Sequence, residues 1–249
     1  VYKHLDIVTG KDKDELKKSE IKVHLLDVVT PNQAFSSYDF VSLAEPIIQI
    51  IGKKKKTPII VGGSYLYIKH LLYGQSVKVA PNQKLRLSLE KLSVEQLQKK
   101  LLSIDKSMNT KMNHSDWNNP RRLIRKIEIA TASIRSNISD TSSMLPALSY
   151  KLIGLRHKNK ESLISAITAR VEKRLAQGAI DEVLRLFKMG YKKNDEGLQT
   201  IGYKQLIAHL EGDMTLEQAK QDWINKEVQY AKRQLTFMKM DKNIRWIIL

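Results

Sequence analysis

The amino-acid sequence predicts an α/β fold, a parallel sheet with helices packed on it, interrupted by an all-helical insertion. Three observations predict it. Over the first third, short apolar runs alternate with amphipathic helical stretches, and strand, helix, strand, helix in succession means parallel strands joined by helical crossovers. From "VKVAPNQ" (77–83) onward the apolar spacing becomes helical and strand-like runs disappear. At "YKLIGLRH" (150–157) a strand pattern returns to the sheet.

The elements follow in order. "VHLLDVVTP" (23–31) reads as a strand stopped by Thr30 and Pro31, "SSYDFVSLAEPIIQII" (36–51) as an amphipathic helix, and "GKKKKTP" (52–58) as a solvated loop. "TPIIVGG" (57–63) reads as a second buried strand, and Ser64 after Gly62 and Gly63 opens a helix; its hydroxyl can be a simple cap or part of a ligand site. In the insertion, Ser93 and Gln96 have capping-box spacing and Asn119 before Pro120 starts a helix. Along that helix Leu123, Ile127, Ala130 and Ile134 recur at core spacing, leaving Arg121, Arg122 and Arg125 grouped away from the core. The polar run "SNISDTSSMLP" (136–146) breaks the pattern. In the last third, Ile164, Ile167, Val171 and Leu175 form a stripe closed by Gly178, with Arg170 and Arg174 one turn apart off the stripe. A further helix is expected over "LQTIGYKQLIAHLEG" (198–212). The longest begins at a capping box of Thr215 and Gln218, with Leu216, Ala219, Trp223, Leu235 and Met238 inward and Lys232, Thr236 and Lys239 on another face. The expected domains are a core of 1–80 and 147–249 with an insertion at 81–146.

Charge narrows the partner. Lys plus Arg number 43 against 26 Asp plus Glu, a formal charge of +17, and such an excess points to a polyanion, nucleic acid first. With no cysteine in 249 residues, disulfides, thiolate metal sites and a cysteine nucleophile are excluded, which suits a reducing cytoplasm. The six histidines are scattered without an HExxH pair, so zinc chemistry has no support. No apolar run approaches the ~20 residues that span a bilayer, so no membrane is expected. The chain begins at Val1 instead of Met, and an upstream segment is expected.

Seven pieces in sequence, "VYKHLDIVTGK", "HLLDVVTPNQAFSSYDF", "IIVGGSYLYIKHLLYG", "NNPRRLIRKIEI", "ARVEKRLAQGAIDEV", "TIGYKQ" and "YAKRQLTFMK", resemble the tRNA dimethylallyltransferase (tRNA isopentenyltransferase) family over almost the whole chain. The resemblance implies transfer of a dimethylallyl group from dimethylallyl diphosphate to N6 of the adenosine 3′ to the anticodon. It also implies a P-loop-NTPase-like parallel sheet core, its first strand and P-loop missing here, with an all-helical insertion domain that grips the tRNA anticodon arm. Ser64 would lie beside the acceptor nucleotide, Gly62 and Gly63 would let the channel backbone approach it, and Arg170 would reach the diphosphate. Arg86, Arg121, Arg122 and Arg125, then Gly202, Tyr203, Lys204 and Gln205, and finally Lys232, Arg233, Gln234 and Thr236 would form the tRNA side. Taken alone, Arg170 reads more readily as an exposed helix arginine paired with Glu172 or Glu182, and Tyr203 as core.

The family's Gly-rich phosphate loop, which helps place Mg2+, and its Asp base precede the residues matching Val1 and Tyr2 and do not occur in this sequence. The expectation is therefore an N-terminally truncated, inactive form acting as a monomer. Ala166 stands where relatives often carry another arginine, and His4 and Val8 where they carry glycine. Two alternatives stay open: a noncatalytic RNA-binding protein that has genuinely lost the P-loop, and an isopentenyltransferase acting on free adenine nucleotides.

Overall fold

Side chains at helix starts set much of the architecture. In the computed structural model, which describes residues 1–11, 18, 21–74, 79, 81–135 and 149–249, the chain divides into two units, Val1–Lys69 with Ala147–Leu249, and His70–Pro146.

In the first unit, Ser36 and Asp39 exchange capping bonds and start α1 (Ser37–Lys53), which buries Val41, Ala44 and Ile48. Helix α2 (Tyr65–Tyr73) follows Ser64 and includes the point, between Lys69 and His70, where the chain passes from one unit to the other. The second helical unit contains α3 (Gln83–Leu89), α4 (Val94–Ile104), α5 (Met108–Lys111), α6 (His114–Trp117) and α7 (Pro120–Arg135). Its core gathers Leu89, Leu97, Leu101, Met112, Leu123, Ile124 and Ile127. The capping box of Ser93 and Gln96 forms as expected, and Asn119 Oδ1 accepts the Arg122 N–H at 3.2 Å ahead of Pro120. Ala130 is half-buried. The side chain of Ile134 and the run 136–146 lie outside the described residues.

Back in the first unit, β1 (Leu152–Arg156) forms as the sequence predicts and pairs in parallel with β2 (Ile244–Ile248), Leu152 opposite Ile244 through Arg156 opposite Ile248. Between them run α8 (Lys160–Ala176), α9 (Ala179–Lys188), a 3-10 turn (Glu196–Gln199), α10 (Tyr203–Leu210) and α11 (Leu216–Met238). Leu5, Val8, Ile167, Val171, Val183, Leu186, Leu198, Tyr203, Leu206 and Trp223 form the shared core. The α/β class with a parallel sheet stands on this crossover. Strand β2 was not anticipated, although "IRWII" is β-branched and aromatic.

Four expectations are corrected. The run 23–31 is not a strand: Leu25 and Asp27 take left-handed φ of 60° and 53°, which breaks extension, and its ladder contact is an isolated parallel bridge from Tyr2 to Val29. The run 57–63 has no ladder partner among the described residues, and Ile59 and Val61 are 81% and 90% exposed; apolar sequence without a hydrogen-bonded neighbour does not make a strand. The helix expected over 198–212 is split into the 3-10 turn and α10, because Gly202 turns the chain at φ +94°. Leu216, on the first turn of α11, is exposed, whereas Ala219 and Trp223 are fully buried. Gly178 at φ +91° separates α8 from α9 as expected.

Candidate functional site

Helix α11 carries Glu227, Tyr230 and Gln234 on one face, since residues three, four and seven apart overlie one another. Each holds a different part of the first unit. Glu227 Oε2 accepts from Arg170 at 2.5 Å and Oε1 from Arg174 at 3.1 Å and from the Trp223 indole N–H at 3.2 Å. Tyr230 Oη lies 3.2 Å from Ser64 Oγ. Gln234 Oε1 accepts the Tyr65 N–H at 3.2 Å. Tyr65 in turn donates its hydroxyl to Asp241 and sets its ring edge-on to Phe237, over which the Lys69 ammonium sits 5.1 Å from the centroid. The expected catalytic pair, Arg170 and Ser64, is thus attached to the same helix face, through Glu227 and Tyr230, three residues or roughly 5 Å of rise apart. Arg170 pairs with neither Glu172 nor Glu182 but with Glu227, a residue sequence reasoning missed because its partners lie on α8.

The Ser64 hydroxyl engages Tyr230, while a glutamine from α11 takes the first N–H of α2. A Cβ added at Gly62 or Gly63 would meet nothing within 4 Å. Lys232, Arg233 and Thr236 are exposed on α11, and Gln234 is half-buried at its contact.

The "GYKQ" residues turn mostly inward. Glu182, fully buried on α9, accepts the N–H groups of Asp6, Ile7 and Val8 at 2.9, 2.7 and 3.2 Å, together with the Tyr203 hydroxyl at 2.5 Å. Burial, then the Glu182 charge, pushes the Tyr203 phenol well above its ordinary range. Gln205 accepts the Gly202 N–H at 2.8 Å and donates to Asp222 at 2.9 Å. A Cβ at Gly202 would lie 2.5 Å from Val8 Cγ1 and 2.8 Å from the Trp223 ring. Lys204 alone of the four is exposed. Glu182 was legible as the acid sharing the buried face of Ala179, Val183 and Leu186. His4 holds φ 65° beside Tyr191; Val8 keeps its N–H on Glu182.

In the helical unit the arginines divide. Arg86 makes a two-pronged pair with the buried carboxylate of Glu128, Nε at 2.7 Å and Nη2 at 2.8 Å, and the Asn82 N–H adds a bond at 2.9 Å. Arg125 reaches the same carboxylate at 3.2 Å and the Val79 carbonyl at 2.7 Å. Burial raises the Glu128 pKa, but the bonds from Arg86, Asn82 and Arg125 outweigh it and hold the carboxyl below its usual range. The hydrogen bond to Glu128, and then its charge, in turn raises the Arg86 pKa against the opposing effect of burial. The grouping of Arg125 with Arg121 and Arg122 is therefore corrected: i to i+3 spacing brings Arg125 onto Glu128. Arg121 and Arg122 are exposed, and Arg122 pairs with Asp116.

Among the described residues no group of three or more His, Cys, Asp or Glu could hold a metal ion. Among the same residues no helix is long and apolar enough to cross a membrane.

A model of the IPP transferase family matches residues 1–241. The tRNA dimethylallyltransferase of Anoxybacillus flavithermus is 37% identical over 249 residues, covering 99% of this chain and 78% of its own. That of Acetivibrio thermocellus is 35% identical over 255 residues, covering 99% and 80%. The tRNA isopentenylpyrophosphate transferase of Bacillus halodurans superposes with a TM-score of 0.67 at 30% identity over 100% of this chain and 78% of that one. A eukaryotic dimethylallyltransferase acting on tRNA, 21% identical with a TM-score of 0.75 over 97% and 63%, shares the fold. These neighbours have the P-loop-NTPase-like α/β core that the resemblance implied. Matched along nearly all its length, the chain belongs to the IPP transferase family, that of the tRNA dimethylallyltransferases.

Proposed function

We propose that this protein transfers a dimethylallyl group from dimethylallyl diphosphate to N6 of the adenosine 3′ to the anticodon in tRNA. The observation that carries the reading is kinship at 37% identity, over 99% of this chain and 78% of the relative, with a tRNA dimethylallyltransferase. In the reaction the N6 lone pair attacks C1 of the prenyl group, the C1–O bond breaks with its electrons leaving on the diphosphate, and N6 gives up a proton.

Charge develops on the leaving oxygens, and Arg170 supplies a cation there, which is worth most where it strengthens in the transition state. Ser64 stands on the acceptor side and offers a hydroxyl already oriented by Tyr230. Gly62 and Gly63 leave space for a nucleotide against bare backbone. Arg121 and Arg122 in the helical unit, and Lys204, Lys232, Arg233 and Thr236 in the other, face solvent and suit RNA phosphates and splayed bases. Arg86, Arg125, Gly202, Tyr203, Gln205 and Gln234 have internal partners and serve by positioning what surrounds them. Mg2+ accompanies the diphosphate outside the roles given to these side chains. The acting unit is a monomer that takes one tRNA in the cytoplasm.

The test incubates the chain, alone and extended at its N-terminus by a relative's phosphate-loop segment with its Asp base, with dimethylallyl diphosphate, Mg2+ and an anticodon stem-loop, and follows the RNA mass. A gain of one dimethylallyl group on the adenosine 3′ to the anticodon is expected for the extended chain, and none for the chain alone. Transfer by the extended chain to free adenosine monophosphate instead, or tight stem-loop binding with no transfer in any nucleotide, would overturn the proposal in favour of a nucleotide prenyltransferase or a noncatalytic RNA binder.

A further inference from the structure

We infer that Glu227 is a built-in counter-anion that sets how tightly the arginine pair holds a diphosphate. The inference rests on the proposed role of Arg170 and concerns a residue outside that role. One carboxylate spans both guanidinium groups, with a separate oxygen for Arg170 and for Arg174. The carboxylate is itself anchored: Trp223, fully buried one turn earlier on α11, donates its indole N–H to the oxygen that Arg174 uses.

The two arginines are not equivalent. The Arg174 side chain is 12% exposed and that of Glu227 16%, and Arg174 is wedged so closely under Gly10 that a Cβ there would come 2.5 Å from its guanidinium. Arg170 is 48% exposed and, with five N–H donors in its fork, offers donors beyond the one it gives Glu227. An incoming diphosphate therefore meets Arg170 first, while Arg174 stays locked to Glu227.

The charge of the cluster decides the affinity. Two guanidinium groups and one carboxylate leave a net single positive charge, and the carboxylate repels any polyanion that Arg170 attracts. A diphosphate on Arg170 has this carboxylate across the same guanidinium. At such separations and an intermediate dielectric, one unit charge changes affinity on the order of 10-fold. Glu227 thus holds the arginines in place before substrate arrives and weakens the grip on the pyrophosphate product, which must leave.

The experiment titrates inorganic pyrophosphate into the full chain by calorimetry at fixed ionic strength, for the parent, Glu227→Gln, Glu227→Asp and Arg170→Ala. Glu227→Gln is expected to bind about 10-fold tighter, Glu227→Asp within about twofold of the parent because it keeps the charge, and Arg170→Ala at least about 10-fold weaker. Thermal melts confirm folding, and Glu227→Met, also uncharged and of similar length, replaces Gln should that variant unfold. Binding lost in Arg170→Ala but unchanged or weakened in Glu227→Gln would overturn the counter-anion role and leave the diphosphate reading standing. Binding unaffected by Arg170→Ala, or absent in parent and Glu227→Gln alike, would overturn both.

Discussion

Replacing Arg86 with alanine separates arginines that hold the fold from arginines that face solvent. The substitution removes two charge-assisted hydrogen bonds from the Glu128 carboxylate, whose side chain is 0% exposed. The Asn82 N–H and one Arg125 bond at 3.2 Å remain. Breaking a fully buried pair costs about 3–5 kcal/mol, and the surviving partners together with the one-third exposure of Arg86 bring this to about 2–3 kcal/mol. For a chain of this length each kcal/mol moves the melting temperature by about 2–4 °C, so Arg86→Ala is expected to melt roughly 5–10 °C lower. Circular dichroism at 222 nm reads it. Arg121→Ala, on the same unit but without an ion-pair partner among the described residues, is expected to stay within about 0.5 kcal/mol of the parent. A parental melt for Arg86→Ala, or equal losses in both variants, would refute the division.

Three further outcomes follow from the same geometry. The double substitution of Arg121 and Arg122 with alanine should weaken anticodon stem-loop binding and reduce the slope of log K against log salt by about 1–2, with fluorescence anisotropy across a salt series as the check. Because the Glu128 carboxyl is held below its ordinary 4.5, the stability it contributes is complete above that value and is lost as pH falls through the folded-state pKa; urea midpoints between pH 6 and 3 should show this loss, and Glu128→Gln should flatten it. Gly202→Ala combines φ +94° with a Cβ 2.5 Å from Val8 Cγ1, so a loss of about 2 kcal/mol or more is expected in denaturant melts.

Local signals were legible in the sequence, and pairings across the chain were not. The capping boxes at Ser93 with Gln96 and at Thr215 with Gln218 form as their three-residue spacing requires, because a cap is satisfied within one turn. Strands 23–31 and 57–63 failed for the opposite reason: apolar composition names a candidate, but its ladder partner lies elsewhere in the chain. The β1 pairing with β2 joins residues some ninety positions apart, and only the first of the two strands stood out by pattern.

The same distinction governs the site, where the side chains that organise it are acids. Glu128 draws on Arg86, Glu182 on the N–H groups of residues 6–8, and Glu227 on α8; within local reach were Arg125, three residues before Glu128, and Trp223, four before Glu227. Reading positive charge as RNA contact misses this, because a basic chain must also satisfy the acids it buries. Helical phase shows how both needs are met on α7. Arg121 and Arg122 precede the buried Leu123 and stay in solvent, whereas Arg125 lies one turn before Glu128 and is drawn onto it. Three arginines within five residues therefore divide by phase: one neutralises the interior, and the other two stay exposed, where the proposed role for them is contact with phosphate.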